Sequence, residues 1–172
     1  LNNHGDLKII GNTRPHYSYG LNGGITWKNV NLDFFLQGVA KQDMIPGREF
    51  FGIYSEWDVP MQLASDFWSY KNPNGYLPRP LLNDESKNTG WYSGDRYLQN
   101  AAYLRLKQLT LGYTLGGPKW QNAHINAVQI YFTGQNILTF TKLSKIYDPE
   151  NTSLLGYPVT KSYSLGLKVT LK

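Results

Sequence analysis

The sequence contains no cysteine, which removes disulfide frameworks, thiol nucleophiles and Cys-ligated zinc or iron–sulfur sites from consideration. That absence is compatible with an oxidising compartment without identifying one. No stretch approaches 18 consecutive apolar residues, so no membrane-spanning helix is expected. Barrel strands are not excluded by this, because they cross a bilayer in short alternating segments that leave a far weaker signal. The opening residues, Leu1-Asn2-Asn3-His4-Gly5-Asp6, are polar and lack the apolar segment of a signal peptide. Basic residues outnumber acidic ones, 17 to 12. They are dispersed with no run of three, so the clustered patch of a nucleic-acid footprint is missing and no nucleic-acid partner is expected. A mildly basic surface of this kind suits contact with anionic lipid headgroups.

Chemistry-bearing constellations are equally sparse. His4, His16 and His124 are far apart and show no metal-ligand spacing. Gly116-Gly117-Pro118-Lys119 lacks the full phosphate-loop pattern. Asp84-Glu85 and the pair Asp148 and Glu150 invite comparison with glycosidase carboxylates, which must stand about 5–9 Å apart across a sugar site. Nothing in the sequence fixes that geometry, and solvated loop charge is the plainer reading. Asp148 and Glu150 also offer oxygens for a loop calcium ion, without the pattern of an EF-hand. No catalytic, cofactor-binding or metal residue is predicted, and the chain is read as a non-enzyme.

What the sequence has in excess is aromatic residues, with 13 Tyr, 7 Phe and 5 Trp, and 17 glycines. Both suit sheets, turns and aromatic interface belts. Period-two alternation marks five strands. The first runs near 16–27, with Tyr17, Tyr19, Leu21, Gly23, Ile25 and Trp27 on one face and the small polar Ser18, Gly20, Asn22, Gly24 and Thr26 on the other. The second runs near 30–40 and carries Asp33 on the face opposite Leu32, Phe34 and Leu36. The third, near 97–115, changes phase at Lys107-Gln108; either a bulge lies there or the strand leaves the membrane before that point. The fourth runs near 125–138 and the fifth, with the cleanest alternation, near 162–171. Eleven residues is long for a soluble strand and matches the roughly 9–11 residues of a tilted spanning strand.

The joints between strands alternate in length. Residues 28–29 and 116–124 are short, 41–96 and 139–160 are longer. A meander with long connections at one end and short ones at the other is the pattern of an outer-membrane barrel. Residues 41–96 would be extracellular, 1–15 would form a lead-in beginning outside, and residues 61–70 read as a short helix anchored by Trp68. Five strands cannot close such a barrel, whose minimum is eight, and open edges cannot sit in hydrocarbon. Further strands are therefore expected before residue 1. The fold class is all-β: an antiparallel meander forming the C-terminal segment of a large transmembrane β-barrel.

At this point particular motifs become recognisable. Gly11-Asn12-Thr13-Arg14-Pro15 leads into Tyr17-Ser18-Tyr19-Gly20-Leu21-Asn22, and Phe34-Phe35-Leu36-Gln37-Gly38 follows. Tyr76-Leu77-Pro78-Arg79-Pro80 precedes Asn100-Ala101-Ala102-Tyr103-Leu104-Arg105-Leu106-Lys107 and Leu109-Thr110-Leu111-Gly112-Tyr113. Gly134-Gln135-Asn136-Ile137-Leu138-Thr139-Phe140, Tyr147-Asp148-Pro149-Glu150 and Gly156-Tyr157-Pro158 complete the series. In this order, over nearly the whole chain, they resemble the C-terminal barrel segment of the SusC/RagA family, the TonB-linked outer-membrane transporters of Bacteroidota. The resemblance implies a barrel of about 22 strands with an N-terminal plug, a SusD-like lipoprotein over the extracellular mouth, and import of glycans or oligopeptides driven through the TonB complex. It also implies contact with outer-membrane lipid. Plug and TonB-binding segment are not in this sequence, so the chain alone would not transport. One departure stands out: family members usually end on an aromatic residue, whereas this chain ends Val169-Thr170-Leu171-Lys172.

Trp57, Trp68, Trp91 and Tyr92 are the candidate ligand or partner contacts, since aromatic faces in exposed loops suit sugars and peptides alike. The alternative from another class is a soluble β-sandwich carbohydrate-binding or adhesin module, which would bury the same apolar stripes between two sheets. A hydrolase on a β-scaffold is the third choice.

Overall fold

A computed structural model of the chain describes residues 8–47, 66–79, 94–116, 124–153, 156, 157 and 159–171. Seven strands lie among them: β1 (Tyr17–Trp27), β2 (Val30–Ala40), β3 (Asp43–Met44), β4 (Gln99–Asn100), β5 (Tyr103–Gly116), β6 (Ile125–Thr141) and β7 (Ser162–Leu171). Among the described residues no helix is long and apolar enough to cross a membrane. The chain divides into two compact units: one holds residues 15–41 and 101–172, the other 1–14 and 42–100.

The larger unit is a five-stranded antiparallel sheet in the order β1-β2-β5-β6-β7. Within this sheet each strand lies beside the next one the chain supplies to it, so this is a meander, and β3 and β4 belong to the connection between β2 and β5. Lys28 and Asn29 alone join β1 to β2, with Lys28 at φ 53°, a conformation uncommon outside glycine and asparagine.

The phase change in the third strand is a bulge. Phe35 pairs with Gln108 and the next residue, Leu36, pairs with Leu106, which leaves Lys107 as the extra residue of β5. An added residue restores Leu104 and Leu106 to the face that carries Leu109, Leu111 and Tyr113. The strand begins at Tyr103 rather than near 97. Asp95–Tyr97 form one turn of 3-10 helix, and Gln99 and Asn100 pair with Met44 and Asp43 in a separate two-stranded ladder. The fourth strand continues past Leu138 to Thr141, because Leu138–Thr141 pair with Tyr103–Leu106 beyond the bulge. Asn136 takes φ 52° at this irregularity and its side-chain amide donates to the Thr160 carbonyl.

Several glycines sit beneath large side chains of the neighbouring strand. Tyr19 lies over Gly38, where an added Cβ would also meet the Tyr103 carbonyl, and its hydroxyl donates to that carbonyl at 3.1 Å. Tyr131 covers Gly166 across the β6–β7 pair in the same way. Such ring-over-glycine pairs compensate for glycine's weak sheet preference by covering exposed backbone.

In the smaller unit, Trp68 donates its amide to the Leu77 carbonyl and the Leu77 amide donates to Asp66. Asn72 closes a turn with Ser69. The helix expected over 61–70 is therefore absent from its described part, residues 66–70. The Asp66 carboxylate instead accepts from the Asn72 side chain and the Tyr76 amide, and a parallel bridge between Phe67 and Leu77 closes the loop in place of a helix. Residues 61–65 lie outside the described set.

Candidate functional site

The two faces of the large sheet differ in kind. Paired residues share a face, so the register assigns every side chain. One face carries Tyr17 to Trp27 at odd positions, Val30 to Ala40 at even positions, Leu104, Leu106 and Leu109 to Leu115, Val128 to Gly134, Leu138 and Phe140, and Tyr163 to Leu171. No charged residue stands on it. Its large apolar side chains are exposed along the sheet, including Leu21, Ile25, Leu111, Ile130, Leu165 at 76% and Leu167 at 63%. In water such a surface would be an aggregation or interaction site.

The opposite face holds Ser18, Gly20, Asn22, Gly24, Asn31, Asp33, Gln37, Gln108, Thr110, Thr133, Ser164 and Lys168. Thr110 and Thr133 hydroxyls meet at 3.1 Å across β5 and β6. A shallow depression of about 370 Å³ opens beside Asn22, Gly24, Asp33, Phe35 and Gln108. The small residues of β1 make its floor, and Asp33 brings a carboxylate to its edge.

The apolar stripes are staggered. Following the pairs from the top of β7, Tyr163 leads to Gly134, Leu109, Phe34 and Gly23, six residues below Tyr17 where the stripe of β1 begins. At the bottom, Trp27 leads to Val30, Tyr113, Ile130 and Leu167, four residues short of the end of β7 at Leu171. With about 3.3 Å per residue and about 4.8 Å per strand step, a boundary drawn along the stripe ends requires strands tilted by about 35–45°.

At the long-connection end, the polar face carries a buried cluster. Arg105 is 2% exposed. Its Nε donates to Thr139 Oγ1 at 2.9 Å, its Nη1 to Glu150 Oε2 at 2.9 Å and its Nη2 to Asp148 Oδ2 at 2.6 Å. Lys107, the bulge residue, adds Nζ to Glu150 Oε2 at 2.6 Å. The Asp148 Oδ1 accepts the Glu150 amide, which fixes the turn through Pro149. Charge-assisted bonds in this fork geometry are the strong class. Val39, Tyr103, Leu143 and Tyr147 are buried at the same end of the unit. Asp148 and Glu150 are thus committed to Arg105 and Lys107. A glycosidase pair or a bound calcium ion would first have to break these ion pairs. Among the described residues no group of three or more metal-binding side chains gathers.

Of the four aromatic candidates, Trp57, Trp91 and Tyr92 lie outside the described residues. Trp68 is half-buried in the smaller unit, its ring 5.4 Å from that of the exposed Tyr70 at 60°. In the same unit Arg96 donates to the Gly75 carbonyl, and the Tyr76 and Tyr97 rings meet edge to face. Burial raises the Tyr97 phenol above its ordinary pKa; nearby Arg96 opposes the rise and Tyr76 adds to it. His16 stands edge-on to Tyr17.

An open antiparallel sheet, uncharged and exposed on one face, polar on the other, and staggered along its edge, defines a segment of a membrane β-barrel wall. No protein-family model matches the chain. TonB-dependent receptor P3 of Formosa agariphila is 26% identical over 185 residues, covering 95% of this chain and 17% of the relative. TonB-dependent receptor P26 of the same organism is 24% identical over 181 residues, covering 96% of this chain and 18% of the relative. The RagAB peptide transporter aligns with a TM-score of 0.70 at 25% identity, covering 94% of this chain and 18% of that one. The RagAB peptide importer in its open-open state aligns with a TM-score of 0.68 over the same shares. The chain is similar to one segment of these TonB-dependent receptors and of the RagAB transporter. It spans less than a fifth of the length of these relatives, which are named as receptors and importers rather than enzymes.

Proposed function

We propose that this segment forms part of the wall of an outer-membrane active importer that takes up glycans or oligopeptides. A SusD-like surface lipoprotein closes its mouth, and the TonB complex supplies energy through parts of the protein outside this sequence. The observation that carries the reading is the uncharged, exposed face whose stripes run obliquely across five strands. Water gives no stable home to a surface of that size. A bilayer does, and the tilt required by the stagger matches the roughly 35–45° of strands in outer-membrane barrels. A soluble sandwich would need a second sheet against that face; the other ladder among the described residues has only two residues per strand.

The polar face then lines the lumen, and the longer connections lie outside the cell. In that arrangement Trp57, Trp68, Trp91 and Tyr92 belong to the extracellular connection and serve as contacts to cargo or lipoprotein. The test is uptake of labelled oligopeptide and oligosaccharide pools by cells with and without the full-length gene, and with TonB removed. Loss of uptake of one pool in both mutants is the expected result. Unchanged uptake of both pools contradicts the assignment.

A further inference from the structure

At the long-connection end, β6 and β7 each have a lysine just beyond the last outward-facing residue of the ladder. On β7 the outward residues are, from the loop inward, Tyr163, Leu165, Leu167, Val169 and Leu171, and Lys161 is the residue immediately before the strand. On β6 they are Phe140 and Leu138 before the irregularity at Asn136, and Lys142 is the residue immediately after the strand. Two adjacent strands therefore repeat one order: cation, aromatic ring, aliphatic chain. Lys142 and Lys161 are exposed, as are Phe140 and Tyr163. Lys145, in the same connection, and Lys41, just after β2, are exposed as well.

Among the described residues, the acids of this connection are engaged elsewhere. The β6–β7 connection contains two, Asp148 and Glu150, and both are held on the lumen-facing side by Arg105 and Lys107. The connection thus holds a neutralised acid–base cluster on the inward side and, just beyond the ends of the two lipid-facing stripes, ammonium groups with no acidic partner among the described residues. At the short-turn end the outward stripes finish on Trp27, Leu115 and Leu171, with Lys28 in the adjoining turn, its ammonium 5.1 Å from the Trp27 ring.

We infer that Lys142 and Lys161 form a rim that binds the phosphate groups of lipid headgroups in the leaflet at the long-connection end. This rests on the barrel-wall reading. The apolar stem of lysine lies along the stripe while its ammonium extends beyond it, and the ring one register step deeper occupies the interfacial layer. Each ammonium near an anionic headgroup layer strengthens attraction by about fivefold.

The experiment uses the full-length protein in phosphatidylcholine bilayers with trace spin-labelled phosphatidylglycerol or phosphatidylcholine, read as the fraction of motionally restricted lipid. Wild type should prefer phosphatidylglycerol. Lys142→Gln/Lys161→Gln should lose roughly twentyfold or more of any local preference at the rim, seen as a clear drop in the average, whereas the lumen-facing control Lys168→Gln should not change it. Equal preference in wild type and the double variant overturns the rim. Displacement by inorganic phosphate beyond that by chloride at equal ionic strength overturns the headgroup assignment in favour of a free-anion site. Absence of restricted lipid of either kind overturns the barrel-wall reading itself and the rim with it.

Discussion

Arg105 shows how much one side chain decides at the mouth end of the sheet. It is fully buried, and its three donor nitrogens reach Thr139, Glu150 and Asp148, residues 34 to 45 positions away. Replacing it with Met leaves two partly exposed carboxylates without their main partner. Breaking a buried pair in this way costs on the order of 3 kcal/mol. Arg105→Met in the full-length protein should lower the urea midpoint of barrel unfolding and expose the 142–161 connection to protease. Arg105→Lys, which keeps charge but not the fork, should fall between the two. A variant as resistant as wild type would show the cluster to be decorative. Glycines offer a second test at this scale. Gly38→Ala would push a methyl group against the Tyr103 carbonyl and the Tyr19 ring, whereas at Gly24 the neighbour is the movable Asp33 carboxylate. Gly38→Ala should therefore destabilise by about 1–3 kcal/mol and Gly24→Ala by clearly less, measured in the same unfolding assay.

Strand alternation is a local property, which is why the stripes of β1, β2 and β7 are legible from residue order alone. The bulge is half legible: Leu106 and Leu109 differ in parity, so a phase change is required, but the order of residues does not say whether pairing continues through it. The Arg105 cluster is not legible in that way, because it depends on the path of the β6–β7 connection. A faint signal exists, since Arg105 and Lys107 share the i, i+2 spacing of Asp148 and Glu150 and opposite charge. The 61–70 stretch misleads for a related reason. Its apolar residues allow a helix, but the Asp66 side chain bonds to Asn72 and Tyr76, and such local competition favours turns. Deleting Lys107 tests the bulge. Without the extra residue, Leu106 and Gln108 become consecutive, so Leu104, Leu106, Leu109 and Leu111 keep one face along an unbroken strand. The Lys107 deletion should therefore retain the heat-sensitive, fast-migrating folded form on gels, whereas deletion of Gly166 from the regular part of β7, which turns Tyr163 and Leu165 to the lumen, should abolish it. Equal folding of the two deletions would contradict the assigned register.

At the scale of the whole molecule the account depends on which face meets lipid. The sheet is stabilised without a core beneath most of its area; among the described residues of its unit, Val39, Tyr103, Arg105, Leu143 and Tyr147 are buried at the long-connection end and Val128 is buried near the other. Such an arrangement is sensible only where hydrocarbon replaces the missing core. Substituting Leu167 by Arg should then cost roughly 2–4 kcal/mol, as for a charge near the bilayer midplane, while Thr133→Arg on the lumen side should cost far less. The most direct measurement is a nitroxide scan of residues 163–170 in the full-length protein reconstituted in lipid, comparing relaxation by oxygen with relaxation by a water-soluble nickel chelate. The account predicts period-two alternation, with oxygen dominant at 163, 165, 167 and 169 and the chelate relatively stronger at 164, 166, 168 and 170. Equal accessibility at both parities, or the opposite phase, would contradict a lipid-facing Tyr163–Leu171 stripe and with it the barrel-wall assignment.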